Sequence, residues 1–174
     1  MKQLGGTDLK RLHRSWRERT EGRLALVLDA VQTPWNTGAI VRTAAALRVD
    51  HLWLASGATS PRHPRSQKTS LGTERYLEWT ETETGVAAVS AARDAGYQVV
   101  AIELAEGAVP LPEAELTRHV CLVIGHEDHG VSAAALEAAD LVAYIPQLGK
   151  VGSLNVAAAA TIALYEVRRR EWVT

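Results

Sequence analysis

Mostly apolar runs of strand length alternate along this chain with segments whose apolar residues recur at helical spacing. The runs predict buried strands over residues 24–30, 51–55, 97–104, 120–125 and 141–145. The helical spacing predicts helices over about 7–20, 39–47, 86–95, 132–139 and 153–170. Strands that alternate with helices in this way predict an α/β fold, a mostly parallel sheet with helices on both faces.

Signals for loops and helix ends lie between these segments. Residues 57–73 are polar and rich in Gly, Pro and Ser, which predicts a long functional loop. Gly96 follows one predicted helix as a stop signal, and Ser132 precedes another as an N-cap. The sequence contains no repeat and no internal linker. We therefore expect a basic helical arm over residues 1–21 and a single domain over 22–174.

Cysteine content and hydropathy bear on the compartment. The chain of 174 residues has one cysteine, Cys121, within an apolar run. It cannot form an intrachain disulfide, which is typical of a reducing compartment. No apolar run approaches the ~20 residues of a membrane helix, and the N-terminus lacks an apolar signal core. We therefore expect a cytoplasmic protein.

Charge is distributed unevenly, although the net charge is only −1. Residues 1–24 carry seven Lys and Arg against three Asp and Glu, a balance of +4, so the remainder carries −5. A basic arm on an acidic body predicts contact with a polyanion, and an ordinary solvated helix face is the alternative. The candidate polyanion contacts are Lys10, Arg11 and Arg14 in the arm and Arg62, Arg65 and Lys68 in the polar loop.

Three clusters combine glycine with polar residues beside predicted strands. The first, Asn36-x-Gly38-x-x-x-Arg42, places Arg42 near the carboxyl end of a strand, where ligands of open α/β sheets bind. The second is GHEDHG over residues 125–130, and the third is IPQLGKVGSLNV over residues 145–156. Small residues in such loops let a ligand approach the backbone, and the following helix start offers free N–H groups. Each cluster alone also fits an ordinary turn.

The clusters lack the fingerprints of metal and phosphate sites. The acidic and histidine side chains of residues 126–129 do not follow the H-E-x-x-H spacing, and adjacent residues on a turn diverge. The phosphate-binding patterns G-x-x-x-x-G-K-[ST] and G-x-G-x-x-G are both absent. We expect no metal, and a nucleotide-binding regulatory module is the least supported function.

Taken together, the three clusters resemble the motifs of the SpoU/TrmH family of RNA ribose 2′-O-methyltransferases, within the SPOUT superfamily. The stretches that carry the resemblance are NTGAIVRTAAAL, LVIGHEDHG and IPQLGKVGSLNVAAAATIALYE. The resemblance covers roughly residues 22–168. It implies a C-terminal trefoil knot, a homodimer with the active site near the subunit interface, and S-adenosylmethionine as the cofactor.

The resemblance also implies roles for individual residues. Those expected at the cofactor are Ile102, Gly125, Ile145, Ser153 and Leu154. Those expected at the polar catalytic positions are Asn36, Arg42, Glu127, Ser153 and Asn155. Arg42 is the family's candidate for activating the ribose 2′-hydroxyl. An arginine is effectively always protonated, so Arg42 could act as a base only if the substrate phosphate perturbed it strongly. The alternative, which we prefer, is that its charge stabilises the developing alkoxide and the adjacent phosphate. Glu127 and Asn36 would then orient Arg42 and the cofactor end of the site.

A compact chain with short basic extensions resembles the tRNA-modifying members of the family most. We therefore expect methylation of tRNA, with guanosine 18 of the D-loop as the first candidate. An rRNA 2′-O-methyltransferase is the alternative, and a non-catalytic RNA-binding protein that keeps the knot is a third. The presence of every polar motif residue disfavours the third.

Overall fold

A single seven-stranded parallel sheet forms the centre of the protein, whose structure, a computed structural model, describes residues 2–173. The strand order is β3-β2-β1-β6-β4-β7-β5, and every neighbouring pair is parallel. The strands are β1 (Leu24–Asp29), β2 (His51–Ala55), β3 (Trp79–Thr82), β4 (Gln98–Ile102), β5 (Val109–Pro110), β6 (Val120–Ile124) and β7 (Leu141–Tyr144). The helices are α1 (Gly6–Glu18), α2 (Pro34–Ala46), α3 (Pro64–Ser70), α4 (Gly85–Asp94), α5 (Ala133–Ala138) and α6 (Val156–Trp172). Short 3₁₀ helices span Thr73–Tyr76 and Leu111–Glu113.

Helices cover both faces of the sheet, as the continuous apolar runs predict. Successive side chains of a strand point to opposite faces, so the fully buried strand β1 contributes to two cores. Its Leu26 lies in one core with Ile40 of α2 and Leu164 of α6. Its Val27 lies in the other core with Val89 of α4. The predicted α/β fold is thereby confirmed.

The predicted elements differ from the observed ones mainly at helix starts. All five predicted strands are present, and the short strands β3 and β5 are additional. Helix α2 begins at Pro34, five residues before the prediction, and α6 begins at Val156, three residues after it. The prediction that residues 57–73 form only a loop is wrong, because α3 lies within this segment. Pro64 occupies the first turn of α3, and His63 caps it by accepting a hydrogen bond from the Arg65 N–H.

Gly38 in α2 is a packing residue. A Cβ at this position would lie 2.2 Å from the Ser66 carbonyl oxygen and 2.8 Å from the Thr69 Cβ of α3. Only a residue without a side chain lets the two helices approach this closely. The first glycine of the family motif therefore serves contact between helices.

The N-terminal helix α1 lies on the surface with no buried residue and contacts the end of α6. The rings of Trp16 and Trp172 have centroids 5.0 Å apart, and the Trp172 indole N–H donates to the Thr20 hydroxyl over 2.9 Å. The predicted amphipathic helix is confirmed over Gly6–Glu18. Its separation from residues 22–174 as an arm stays a prediction.

Arg168 ties the end of α6 to the rest of the fold. Only 2% exposed, it donates to the backbone carbonyls of Gly22, Leu47 and Arg48 over 2.6–2.9 Å. Its charge pairs with Glu171 at 2.9 Å. Arg168 is thus a structural residue.

Two further expectations concern topology and membranes. The strand order places β4 between β6 and β7, and the trefoil knot that the resemblance implies stays a prediction. Within residues 2–173, no helix has both the length and the apolar character needed to cross a membrane.

Candidate active site

The three motif segments meet at one edge of the sheet. Because β1, β4, β6 and β7 are parallel, their carboxyl ends lie on the same side. Residues 30–33, 125–130 and 145–155 follow β1, β6 and β7 there, and two of these segments lead into α2 and α6. Such an edge is where open α/β sheets bind ligands. The sequence clusters therefore converge where a site is expected.

Glu127 joins the second motif segment to the first. Its carboxylate accepts hydrogen bonds from the backbone N–H groups of Gln32 at 3.1 Å and Thr33 at 2.8 Å. It also accepts one from the side-chain amide of Asn36 at 3.0 Å. These donors lie at the start of α2, where unpaired N–H groups and the helix dipole favour negative charge. Glu127 therefore acts as a cap supplied from a distant part of the chain.

The ionisation of Glu127 reflects this environment. Partial burial raises the pKa of the carboxyl, but the hydrogen bonds from Asn36, Gln32 and Thr33 outweigh it and lower the pKa to about 2. The side chain is consequently ionised throughout the neutral range and is an acceptor only. It holds the start of α2 and does not store a proton.

Asn155 connects the third segment to this pair. It is the N-cap of α6, and its side-chain oxygen accepts from the N–H groups of Ala157 at 3.0 Å and Ala158 at 3.3 Å. Its amide nitrogen donates to the side-chain oxygen of Asn36 over 3.1 Å. The structure thus joins Glu127, Asn36 and Asn155 in one chain of hydrogen bonds.

The GHEDHG segment forms a tight turn. The backbones of His126 and Gly130 exchange two hydrogen bonds of 2.9 Å, and the rings of His126 and His129 stack with centroids 4.8 Å apart. A Cβ at Gly125 would lie 2.0 Å from the Gly130 carbonyl carbon. Gly125 is therefore required for the turn to close.

No group of three or more metal-ligating side chains occurs among residues 2–173.

A cavity of about 310 Å³ opens beside this turn, and we name it the loop cavity. Its wall includes every residue expected at the cofactor: Ile102, Gly125, Ile145, Ser153 and Leu154. Glu127 also lines the loop cavity. The carboxamide oxygen of Gln147, another wall residue, is buried and accepts no hydrogen bond within the described part of the chain.

Arg42 lies elsewhere. It is exposed and lines a second, larger cavity of about 1040 Å³ between α1 and α2, which we name the arm cavity. Arg42 lies six positions after Asn36, about 9 Å further along the axis of α2, and its side chain points about 120° away from that of Asn36 around the helix. Glu127 and Asn36 therefore do not orient Arg42 within one protomer, contrary to expectation. Among residues 2–173, Arg42 has no hydrogen-bond or ion-pair partner.

The basic residues expected to contact RNA fall into two groups. Lys10 and Arg14 of α1 line the arm cavity together with Arg42, while Arg11 lies outside its lining and pairs with Asp8 at 3.8 Å. The other group follows the polar segment and lies outside the arm cavity. In it Arg62 packs over the Trp79 ring at 5.2 Å, and Arg65 and Lys68 belong to α3.

Two of the polar residues that line the loop cavity, Glu103 and Gln147, are not predicted by any sequence pattern. Glu103 follows β4 within the acidic stretch Glu103-Leu104-Ala105-Glu106, which looks like a solvated turn. Gln147 lies within the third motif segment. Trp35, an aromatic residue next to Asn36, is 50% exposed at the start of α2.

The sequence and fold were compared with known proteins. The family model of the SpoU rRNA Methylase family matches residues 23–165. The 23S rRNA (guanosine(2553)-2′-O)-methyltransferase RlmP of Bacillus subtilis is 34% identical over 84% of this chain. The tRNA (guanosine(18)-2′-O)-methyltransferase of Escherichia coli is 32% identical over 87% of it. The chain spans 58% and 66%, respectively, of the lengths of these relatives.

A solved structure is similar throughout the fold. The AdoMet-bound rRNA methyltransferase from Sinorhizobium meliloti superposes with a TM-score of 0.80 at 32% identity. The superposition covers 89% of this chain and 60% of that protein. The similarity therefore includes most of the fold.

Proposed function

The chain belongs to the SpoU rRNA methylase family, and on that premise we propose that it transfers a methyl group from S-adenosylmethionine to a ribose 2′-hydroxyl of RNA. The observation that carries this proposal is the convergence of all three motif segments on the loop cavity. The hydrogen bonds between Glu127, Asn36 and Asn155 hold these segments together. The AdoMet-bound relative of similar fold supports the choice of cofactor.

The loop cavity has the chemistry to hold S-adenosylmethionine. Its volume of about 310 Å³ is that of a small-molecule site, and it combines apolar walls with backbone groups of glycine-containing loops. The buried carboxamide oxygen of Gln147 has no partner among the described residues, so it can accept a hydrogen bond from a ligand. Backbone groups around Gly125, Ile145 and Leu154 would hold the adenosine part, with Ser153 beside them and Ile102 as a further contact. When bound, the cofactor supplies an electrophilic methyl group on its sulfonium.

Arg42 would act on the RNA. The guanidinium group of an arginine is a fork of N–H donors that can bind a phosphate or a developing alkoxide. Lys10 and Arg14 line the same cavity and would bind neighbouring phosphates. The rate would come from alignment of the 2′-hydroxyl with the methyl group and from the charge of Arg42.

A homodimer would bring the two cavities together. Arg42 and the residues expected at the cofactor line different cavities within one protomer. In the dimer that the resemblance implies, the active site lies near the subunit interface. Arg42 of one copy would then serve the loop cavity of the other.

We further propose tRNA as the substrate, with guanosine 18 as the first position to examine. The Escherichia coli relative that carries this activity in its name supports the choice, and so does a basic α1 beside Arg42. The Bacillus subtilis relative named for 23S rRNA favours rRNA as the second candidate.

The test is methyl transfer from labelled S-adenosylmethionine to unmodified total tRNA and, separately, to 23S and 16S rRNA, with the labelled nucleoside mapped. Label as 2′-O-methylguanosine in the tRNA D-loop is the expected result. Label in rRNA alone would move the substrate to the second candidate. Cofactor binding without label in any RNA would contradict the enzymatic function, and an absence of cofactor binding would contradict the cofactor.

A further inference from the structure

Glu103 places a fixed carboxylate in the wall of the loop cavity. It directly follows β4, next to Ile102. One carboxylate oxygen accepts a hydrogen bond from the Leu104 N–H at 3.0 Å, and the other accepts one from the Val131 N–H at 2.9 Å. Both oxygens are therefore held in place. Each oxygen of an ionised carboxylate has a second lone pair, so each can accept one more hydrogen bond.

The GHEDHG turn leaves room for the Glu103 side chain. Gly130 has a φ of +69°, and a Cβ there would lie 2.2 Å from a Glu103 carboxylate oxygen. Any side chain at this position would both strain the backbone and displace the carboxylate. Gly130 thus lets Glu103 reach Val131 across the GHEDHG turn, on the side where the turn lines the loop cavity.

The charge of Glu103 is not neutralised by the protein. Within residues 2–173 it forms no ion pair with Lys, Arg or His, and its hydrogen-bond donors are the two backbone N–H groups. A carboxylate in this state is a strong acceptor for neutral hydroxyl donors, because hydrogen bonds to an ionised group are about twice as strong as neutral ones. An acidic residue near the end of a parallel strand binds nucleoside ribose hydroxyls in other α/β proteins.

We propose that Glu103 determines specificity for the ribose of the cofactor by accepting hydrogen bonds from its 2′- and 3′-hydroxyls. This inference rests on the proposed function, since it assumes an S-adenosyl ligand in the loop cavity. The position of Glu103 beside Ile102, and across the turn from Gly125, places it next to the residues expected at the adenosine part. A purely structural role, in which Glu103 only ties the turn to β4, is the competing explanation.

Calorimetric titration with S-adenosylhomocysteine and with its 2′,3′-dideoxy analogue separates the two explanations. Wild type is expected to bind the dideoxy analogue about 10- to 100-fold more weakly, because hydrogen bonds to a charged acceptor are lost. Glu103→Ala and Glu103→Gln are compared with Glu106→Ala, an exposed acidic residue of the same loop. In Glu103→Ala, the two ligands should bind within about threefold of each other, whereas Glu106→Ala should discriminate like wild type.

The possible outcomes distinguish ribose recognition by Glu103 from a structural role and from a failure of the proposed function. A wild type that binds both ligands equally would overturn the inference without touching the proposed function. The same would follow if Glu103→Ala bound both ligands more weakly but kept the wild-type ratio, since that is the signature of a structural role. Glu103→Gln keeps the shape of the side chain, so it should fold like wild type. It should reduce in part the ratio of the affinities for the two ligands. If wild type bound no S-adenosylhomocysteine, the proposed function itself would be contradicted, and with it the role of Glu103.

Discussion

The side-chain amide of Asn36 donates a 3.0 Å hydrogen bond to the carboxylate of Glu127, a residue 91 positions further along the chain. The amide oxygen of Asn36 accepts from Asn155 at the same time. Asn36 therefore uses both ends of one side chain to join the loops after β6 and β7. The starts of α2 and α6 are fixed relative to each other, and the loop cavity lies beside this junction.

Glu127→Gln should lower the free energy of unfolding by about 1–2 kcal/mol, because the charged acceptor for three donors at the start of α2 is lost. The introduced amide N–H₂ would also face a backbone N–H group. Chemical denaturation measures the effect. Glu106→Gln, an exposed change of the same kind, should leave stability within about 0.5 kcal/mol of wild type. Equal stability of Glu127→Gln and wild type would contradict the role of Glu127 as a helix cap.

The stability difference between wild type and Glu127→Gln should depend on pH. Hydrogen bonds lower the folded-state pKa of Glu127 to about 2, below its ordinary value of 4.5. A carboxyl whose pKa is lower in the folded state adds stability above its unfolded pKa and loses it as the pH falls toward the folded pKa. The stability difference between wild type and Glu127→Gln should be full at pH 7 and shrink between about pH 4.5 and 2. Denaturation at pH 7, 4 and 3 measures it, and a constant difference would contradict the lowered pKa.

Asn155 has two functions that different substitutions should separate. Asn155→Ala removes the cap of α6 and should cost about 0.5–2 kcal/mol in denaturation. Asn155→Asp keeps an acceptor for the N–H groups of Ala157 and Ala158, so most of the stability should remain. Its carboxylate, however, would face the amide oxygen of Asn36 with no proton to donate. Methyl transfer should therefore fall in both variants, and full activity in Asn155→Asp would show that the link to Asn36 is dispensable.

The central strands and the order of the elements could be predicted because the information is local. The apolar run of β1 and the stop at Gly96 need no distant partner. The start of α2 was predicted too late because its cap is Glu127, which reaches Thr33 from a position 94 residues away. Helix α3 was missed because its polar composition hides the contact of Ser66 with Gly38.

The sequence predicted which motif residues form the site, but it did not predict the residue that supports the site from another loop or the cavity that Arg42 lines. Resemblance identified Asn36, Glu127 and Asn155, and the structure brings them together. No local signal distinguished Glu103 from the neighbouring acidic Glu106, because its position depends on a glycine in another loop. Sequence spacing likewise placed Arg42 near the end of β1, but the turn of the helix directs it to the arm cavity.

RNA binding should depend more on α1 than on α3. Replacing Lys10, Arg14 and Arg17 by Gln removes three charges that line the arm cavity with Arg42. The affinity for RNA should fall, and the slope of log K against log salt should decrease in magnitude by about 2. The matched control replaces Arg62, Arg65 and Lys68, which lie outside this cavity. A larger change of slope in the control would move the RNA contacts to the α3 surface.

Arg42→Ala should abolish methyl transfer while S-adenosylhomocysteine still binds, because Arg42 does not line the loop cavity.

A second inactive variant, Gly152→Trp, would fill that cavity from a position where a Cβ meets nothing within 4 Å. If Arg42 of one copy serves the cavity of the other, mixed dimers of the two variants contain one complete site. A mixture re-equilibrated at equal concentrations should then recover about a quarter of wild-type activity, since half of the dimers carry one site of two. Full activity in Arg42→Ala would contradict its role, whereas a mixture without activity would mean that Arg42 and the cofactor act within one protomer.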